Sequence, residues 1–341
     1  MIKNRQFLIV LACIVFFCCA REVLAGEGHY APGVLNIRDM VMPPKGFYYV
    51  QYNPFYHSGK YFDKNAKELR TLEFNRSVRI LGFNIDVSID ANIDLKVQSG
   101  AISPTLIYIT GQKIFGANYG FYIAPAYGYS KVKVKAQITK AAIDGIKIKW
   151  LTGKKIELEE DRSGIGDLLV TPVWLDWSAD KYDIYSTYGF YAPIGEYDTD
   201  HFTNIGLDFW SHELSLGGAY YLNKNKATAF VLNGNYEINS KQRHNDVRPG
   251  QHLTLEYGIS QYLSERLDIA LTGYSVWQTT NDSGSDSRNK KTKDYVHGVG
   301  AQIGYWLVKD KFNATLRYTY EYAAQDRFKG EMASANFTFV F

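Results

Sequence analysis

Cysteine is missing from almost all of this 341-residue sequence, because Cys13, Cys18 and Cys19 account for all three cysteines and lie within the first 25 residues. The chain beyond them cannot form a disulfide or bind a metal through thiolates. Long apolar runs are also scarce: the clearest, Phe7 to Ala20, has fourteen residues, fewer than the ~18–20 of a membrane-spanning helix. Neither charge dominates, with 38 Lys and Arg against 35 Asp and Glu. The balance gives no reason to expect nucleic acid as a partner.

The first 25 residues have the pattern of a secretory signal peptide. Lys3 and Arg5 precede the apolar stretch, and small residues close it. A lipoprotein signal ending at Cys18 or Cys19 is the alternative, but bulky aromatic residues stand where small ones are expected. We therefore predict export of the mature chain.

Aromatic residues are abundant, with 27 Tyr, 19 Phe and 6 Trp, yet the mean hydropathy is a mildly polar −0.26. Strands of alternating polarity, flanked by aromatic girdles at a membrane interface, produce this combination, although a large soluble β-protein could share it. Phe337, Phe339 and Phe341 recur at a spacing of two at the end of the chain. This ending resembles the terminal assembly signal of bacterial outer-membrane barrels, and an ordinary sandwich edge strand is the alternative.

Alternation with a period of two continues from residue 47 to the C-terminus. It is clearest in Ile85–Val97, Gln251–Leu263 and Phe312–Ala324, where one face is mainly apolar and the other mainly polar. We predict an all-β fold: a transmembrane antiparallel β-barrel over residues 47–341 with about fourteen strands, or twelve or sixteen as alternatives. The predicted strands lie near 47–57, 69–81, 85–97, 102–110, 119–135, 164–177, 181–192, 211–222, 227–238, 251–263, 267–280, 294–308, 312–324 and 331–341.

The connections between these strands differ in length on the two sides of the predicted barrel. Counting back from a periplasmic C-terminus, Lys309–Asp310 and Ser264–Arg266 are short periplasmic turns, and Gly82–Asn84 is expected to be another. The alternate connections are mostly long, although Gln98–Ala101 is an unusually short external loop. This asymmetry favours a membrane barrel over a soluble sandwich.

Several short motifs follow one another in a recognisable order along the chain. They are HYAPG at 29–33, PPKG at 43–46, GIGDLLVTPVWLDW at 164–177, YAPIGEYD at 191–198, NIGLDFW at 204–210, PGQHLTLEYGISQYLSERL at 249–267 and GYSVWQTTNDSG at 273–284. In this order they resemble the family of bacterial outer-membrane proteins named for the MetA (meta-cleavage) pathway of phenol degradation. The resemblance implies a β-barrel and, more weakly, movement of aromatic or other hydrophobic compounds across the outer membrane.

Sequence signatures of enzymes are missing. We find no nucleophile elbow, zinc-protease motif or phosphate-binding loop. His57–Ser58 and His212–Glu213 are adjacent pairs, and neighbours along a strand point to opposite faces. We predict no catalytic residue, metal or cofactor, with an outer-membrane lipid enzyme as a minor alternative because its Ser and His may lie far apart in sequence.

The polar faces of the strands indicate what the barrel lumen contains. If these faces point inward, the wall is rich in acids and favours cations or polar solutes, unless the acids pair with neighbouring cations. The expected lumen-facing residues are Asp86, Asp90, Asp94, Lys96, Asp183, Glu213, Glu237, Glu256, Asp268, Arg317 and Glu321.

An apolar substrate would need an aromatic path along the same lumen. Aromatic residues near strand ends more often anchor a barrel in the lipid interface, which is the alternative reading. The candidates for the path are Tyr185, Tyr191, Tyr262, Tyr274 and Trp306.

Residues 26–46 carry glycine and proline without a clear period, so they are not expected to form barrel wall. They either fold into the lumen as a plug or form a disordered periplasmic tail.

Taken together, the sequence predicts a bacterial outer-membrane channel for passive passage of small molecules, hydrophobic or aromatic by family resemblance. A water-filled, cation-leaning porin is the main alternative, and a non-transport surface barrel is another. Expected partners are membrane lipid, the barrel assembly machinery, a small-molecule substrate and lipopolysaccharide at external loops with Tyr61, Phe62, Lys154 and Lys155.

Overall fold

The computed structural model describes residues 28–80, 83–287 and 291–341, so the predicted signal at 1–25 lies outside the described residues. Within these ranges no helix is long and apolar enough to cross a membrane. The described residues form nineteen strands: β1 (Gly46–Tyr52), β2 (Pro54–Ser58), β3 (Tyr61–Phe62), β4 (Thr71–Ile80), β5 (Phe83–Ile114), β6 (Ala117–Ala124), β7 (Tyr127–Ile143), β8 (Ile146–Lys147), β9 (Lys155–Ile165), β10 (Leu168–Ser178), β11 (Tyr182–Ala192), β12 (Ser211–Tyr221), β13 (Thr228–Asn239), β14 (His252–Tyr262), β15 (Leu267–Gln278), β16 (Tyr295–Val308), β17 (Phe312–Gln325), β18 (Arg327–Phe328) and β19 (Glu331–Val340).

A closed antiparallel barrel is built from twelve of the described strands: β1, β5, β6, β10 to β17 and β19. The ring closes where β1 pairs with β19, in a register that places Tyr48 opposite Val340 and Gln51 opposite Phe337. The predicted all-β barrel is therefore confirmed, and its strand number is the smaller alternative, twelve, rather than fourteen.

The difference in strand number comes from β5. Its 32 residues include two predicted strands and the predicted external loop at Gln98–Ala101, which is wrong. A membrane-spanning β-strand needs only about 9–11 residues, so most of β5 extends beyond the membrane. There it pairs with β4 outside the ring, as far as Ile80 opposite Phe83. The predicted periplasmic turn at Gly82–Asn84 therefore follows a strand that is not part of the ring, and Gly82 itself lies outside the described residues. The short turn at Lys309–Asp310, by contrast, is confirmed between β16 and β17.

The outer surface of the barrel carries exposed apolar side chains, as contact with lipid requires. Leu216, Leu271 and Leu316 are 60–66% exposed. Phe337, Phe339 and Phe341 also face outward, and the ring of Phe339 stacks on that of Phe312 with centroids 4.5 Å apart. The last strand thus presents its aromatic side chains to the membrane.

Above the membrane, β4, the upper part of β5, β7 and β9 form a sheet whose two faces have the opposite polarity. Outward-facing residues of β7 change from Tyr127 and Tyr129, which are exposed, to the lysines at 131, 133 and 135, which pair with glutamates on β9. The inner face packs an apolar cluster that includes Ile93, Leu95 and Val134.

In this sheet, four residues that were expected to face the lumen lie on the outer face instead. The inner face of upper β5 is its apolar face, so its polar face points outward to solvent. In the membrane-spanning wall the polar face points inward, because lipid lies outside. Here the strand has left the membrane and water lies outside, so the polar face points outward. The four residues on the outer face are Asp86, Asp90, Asp94 and Lys96, and Asp90 pairs there with Lys140 at 3.1 Å.

Candidate functional site

Residues 28–45, called here the N-terminal segment, lie inside the barrel and contact its inner wall along their length. Toward the periplasmic end, Met40 and Met42 pack against the buried rings of Trp174 and Tyr185. Ile37 packs in a second cluster with small and branched side chains of β12, β13 and β15. The segment thereby fills the lumen with apolar side chains at this level.

Arg38 fixes the segment to the periplasmic end of the wall. Its guanidinium donates hydrogen bonds to Ser260 Oγ at 2.5 Å, to the Lys226 carbonyl at 2.9 Å and to the Ala227 carbonyl at 2.8 Å. It also lies over the Tyr262 ring, 4.7 Å from the centroid. A planar guanidinium matches this combination of divergent acceptors and an aromatic face.

The middle of the segment is held by Glu256 and Arg317, which are both buried. Glu256 accepts hydrogen bonds from the Gly33 amide at 3.1 Å and the Tyr30 hydroxyl at 2.8 Å. Arg317 donates to Glu256 at 3.2 Å and to the carbonyl of Leu35. The wall charges are therefore matched by each other and by the backbone of the segment, as buried charges require.

Asn336 on the last strand joins the segment to the barrel seam. Its side-chain amide donates to the carbonyl of Val34 at 3.0 Å and to Asn36 Oδ1 at 2.9 Å. Its oxygen accepts the backbone amide of Asn53 at 3.2 Å, at the break between β1 and β2. One side chain thus contacts the first strand pair, the last strand and the segment.

Asp39 lies beside this seam and is half-buried. Burial raises the pKa of Asp39 from its ordinary value of 3.8 to about 6, although hydrogen bonds from Tyr52 and Asn36 oppose the rise. The Tyr52 hydroxyl donates to Asp39 at 2.8 Å. The carboxyl therefore changes its charge in a mildly acidic range.

At its outer end, the segment places His29 in a slot between two aromatic rings. The imidazole stacks on Tyr191 with centroids 4.6 Å apart and meets Phe209 edge to face at 4.7 Å. His29 Nε2 lies 2.9 Å from Asp167 Oδ2, and Nδ1 lies 2.6 Å from Ser211 Oγ. The imidazole is therefore held by two aromatic rings and by a polar side chain at each of its two nitrogens.

The surroundings of His29 favour its protonated form. Burial by itself lowers the pKa of His29, but hydrogen bonds and charges of Asp167 and Glu237 outweigh it and raise the pKa above the ordinary value of 6.5. Glu237 also accepts the backbone amides of His29 at 2.9 Å and Tyr30 at 3.0 Å. Backbone and side chain thus bind the same carboxylate.

Asp167, His29 and Ser211 have the connectivity of a hydrolase triad, which bears on the enzyme alternative. However, the Ser211 side chain is 0% exposed, and its hydroxyl also contacts Glu237 at 3.0 Å and Asn239 at 2.6 Å. A nucleophile has to reach its substrate. The geometry therefore suits a structural clasp for His29 rather than hydrolysis.

A vestibule of about 770 Å³ opens above the outer end of the segment, and His29, Asp167, Tyr191 and Phe209 line its floor. The external loop 193–210 forms part of its wall. Asp167 accepts the amides of Gly195 and Leu207 from this loop, each at 2.8 Å. The same carboxylate therefore connects the loop to His29.

The expected lumen acids on the lower wall are found inside the barrel, but they do not line an open path. Asp183 contacts Lys226 at 3.3 Å, and Glu321 accepts the hydroxyls of Tyr56 and Tyr274 at 2.9 and 2.8 Å. These acids are thus held by wall and segment groups. The inward set is Asp183, Glu213, Glu237, Glu256, Asp268, Arg317 and Glu321.

The expected aromatic path is occupied. Tyr185 packs on the apolar part of the segment, Tyr191 stacks on His29, and Tyr262 lies under Arg38. A side chain at Gly33 would lie 3.2 Å from Tyr274. Trp306 lies on the inward face of β16 near the periplasmic end and is partly buried. Four of these five aromatic residues therefore surround the segment.

Sequence reasoning missed His29, Arg38, Asp167, Ser211 and Asn336 as a connected set. Lone histidines are usually interfacial or loop residues, and the serine and aspartate lie 182 and 138 positions from His29. The HYAPG and GIGDLL motifs, noticed as family features, contain two of these residues. Among the described residues, no group of three His, Cys, Asp or Glu side chains is arranged to hold a metal ion.

Comparisons with known proteins agree with this architecture. A family model described as MetA-pathway of phenol degradation matches residues 81–337. An outer membrane channel from Pseudomonas putida F1 is similar in structure, with a TM-score of 0.59 and 15% identity over 90% of this chain and 100% of that one. A FadL homologue from Pseudomonas aeruginosa has a TM-score of 0.36 and 11% identity over 92% and 95%. No curated protein matches. The fold shared with the Pseudomonas putida channel is that of an outer-membrane barrel, and this chain is located in the bacterial outer membrane.

Proposed function

The chain belongs to the family described as MetA-pathway of phenol degradation, and from this premise we propose that it is a plugged outer-membrane channel for passive passage of small hydrophobic or aromatic molecules. The observation that carries the proposal is the occupied lumen. The N-terminal segment fills the space that a solute would cross, so passage requires the segment to move.

The contacts of the segment suit reversible movement. They consist of hydrogen bonds, ion pairs and moderate apolar clusters, without a covalent link. Each polar contact contributes about 0.5–3 kcal/mol, so the set holds the segment firmly but permits release. The fold is shared with an outer membrane channel from Pseudomonas putida F1, which supports this role.

The vestibule favours a small apolar or aromatic solute. Its lining combines aromatic rings with small side chains on the inner faces of β5 and β7. The space is larger than the ~150 Å³ that holds one benzene molecule. The lining includes Tyr56, Phe202, Phe328, Ala101 and Ala126.

A cation-leaning polar pore is the second candidate, and the charges of the segment favour it for the open state. Arg38 and His29 leave with the segment, while Glu237, Glu256 and Asp183 stay on the wall. Rings of carboxylates attract cations. The open barrel is thus expected to pass cations as well as its main solute.

Locking the segment in place tests the proposal. Asn36→Cys and Asn336→Cys place two thiols where the native side chains are in contact, and the described chain has no cysteine to compete. A short thiol-reactive linker that contains a disulfide joins them, and a reductant releases them. Uptake of a naphthalene-sized fluorescent hydrophobe into proteoliposomes is measured before and after reduction.

The expected result is uptake that stops on linking and returns on reduction. The two single-cysteine variants, treated in the same way, should take up the probe throughout. Uptake by fully linked double-cysteine protein at the same rate as by the reduced protein would contradict a role for segment movement in passage.

A further inference from the structure

The slot that holds His29 has the form of a ligand-binding site. Tyr191 and Phe209 contact the ring of His29 by stacking and by an edge, at centroid distances of 4.6 and 4.7 Å. The side chain of His29 is 4% exposed. These contacts select a flat ring, because a branched aliphatic group cannot stack at this distance.

The two edges of the slot select polar groups on that ring. Asp167 meets one nitrogen of the imidazole at 2.9 Å, and Ser211 meets the other at 2.6 Å. Glu237 lies 3.7 Å from the second nitrogen. Two carboxylates at opposite edges favour a ring that donates a hydrogen bond at each edge.

The slot also lies within reach of molecules from outside. Asp167, Tyr191 and Phe209 border the same vestibule as His29. A small molecule in the vestibule thus meets the rim of the slot without crossing the barrel wall.

We propose that this slot is a binding site for small planar rings with an N–H or O–H group at each of two edges, azoles above all, and that His29 is its built-in occupant. A ligand that enters from the vestibule replaces the imidazole and releases the outer end of the N-terminal segment. The binding site stands on its own geometry, whereas its effect on passage rests on the proposed function.

His29→Ala provides the direct test, because it empties the slot while leaving its walls. Imidazole itself is the probe, and its binding to the detergent-solubilised protein is followed by saturation-transfer NMR. We expect imidazole to bind to His29→Ala. Its affinity for the double variant His29→Ala/Tyr191→Leu should be at least fivefold weaker.

His244→Ala is the matched control. His244 also stacks on a tyrosine, Tyr197, and contacts an aspartate, Asp208, at 2.8 Å. Its side chain is 59% exposed, so its removal leaves an open surface rather than a slot. Imidazole binding to His29→Ala no stronger than to His244→Ala would overturn the proposal.

Displacement is tested on the unaltered protein, which avoids any doubt about folding. The amides of His29 and Tyr30 are bonded to Glu237, so their hydrogen exchange accelerates when the outer end leaves. At constant pH, imidazole should accelerate exchange in the peptide that covers residues 28–36 several-fold more than 1-methylimidazole, which lacks one N–H. Equal exchange with either compound would overturn the displacement step.

These outcomes are distinct from failure of the proposed function. Uptake through the linked Asn36→Cys/Asn336→Cys protein would refute segment-controlled passage, yet imidazole binding to the slot would be unaffected. Loss of imidazole binding would refute the slot and leave the linking result intact.

Discussion

Arg317 on β17 and Glu256 on β14 lie three strands apart around the barrel, yet their side chains meet at 3.2 Å in the lumen. Both are almost fully buried, at 1% and 5% side-chain exposure. The N-terminal segment passes beside them, because Gly33 bonds to Glu256 and Leu35 to Arg317. Arg317 and Glu256, together with the segment backbone that they bond, therefore connect β17 to β14 across the lumen. This connection is called here the brace.

Breaking this brace should destabilise the barrel. Arg317→Met leaves Glu256 buried without its cation, which costs about 3–5 kcal/mol. We expect the temperature at which the folded barrel unfolds on heat-modifiability gels to fall clearly. The double variant Arg317→Met/Glu256→Gln should recover part of the loss, and a double variant no more stable than the single one would contradict a direct pairing.

Removing the guanidinium of Arg38 should loosen the segment without unfolding the barrel. Arg38→Met loses four hydrogen bonds, worth about 1.5–3 kcal/mol together even after partial replacement by water. In a Met40→Cys background, where position 40 is buried, we expect thiol labelling to accelerate roughly tenfold or more. Lys224→Met, on an exposed turn at the same end, should leave the rate unchanged.

The N-terminal segment should be held less tightly in the lumen as the pH rises. The change is expected in two pH windows, one for Asp39 and one for His29. Asp39 has a raised pKa of about 6, so the seated state is favoured below about pH 4 and loses stability as the pH rises to about 6. His29 also has a raised pKa. Its contribution to the stability of the seated segment is therefore full below about pH 6.5 and is lost as the pH rises through that raised pKa.

The groups facing His29 in the upper window are Asp167, Glu237 and Glu213. When His29 becomes neutral, the carboxylates of Asp167 and Glu237 lose the cation that lies against them. We expect Met40→Cys labelling to rise across both windows. Asp39→Asn should flatten the lower window and His29→Gln the upper one. A profile that both variants share with the parent would exclude these two groups as its source.

Deletion of residues 28–42 should open a cation-selective pore. The wall keeps Glu237 and Glu256 but loses Arg38 and His29, so planar-bilayer conductance should rise, with a reversal potential that favours cations. Glu237→Gln/Glu256→Gln in the deletion variant should reduce the selectivity. Glu157→Gln/Glu159→Gln, on the outer sheet, is the matched control and should not.

The terminal aromatic residues are predicted to guide assembly. Phe339→Ala removes a ring that stacks on Phe312, and together with loss of the terminal Phe341 it should lower the amount of folded barrel in outer-membrane fractions several-fold. Phe115→Ala removes an exposed aromatic at the turn after β5 and serves as the control. Equal amounts of the two variants would contradict an assembly role for the C-terminal strand.

Alternation in the sequence predicted the barrel and most strand positions because a strand buried on one face must repeat every two residues. The same rule placed the acids of β12 to β17 inside. It gave the wrong face for Asp86, Asp90 and Asp94, since periodicity does not show where a strand leaves the membrane. That boundary depends on strand length and on the pairing of β4, β5 and β7, which are tertiary properties.

The candidate site was less accessible from sequence than the fold. His29 contacts residues from three parts of the wall, each more than one hundred positions away in the sequence. No local spacing encodes such a contact. The number of acids did indicate a polar lumen, but only the structure shows that Lys226, Arg317 and His29 pair with acids there.

Asn336 contacts both the seam of the barrel, through Asn53, and the N-terminal segment, through Val34 and Asn36. Closure of the ring and seating of the segment are therefore coupled equilibria. By reciprocity, whatever free energy the seated segment adds to the seam, the closed seam adds to the seated segment. Under the proposed function, the seam is therefore most stable when the channel is shut, and each opening event weakens the joint that closes the ring.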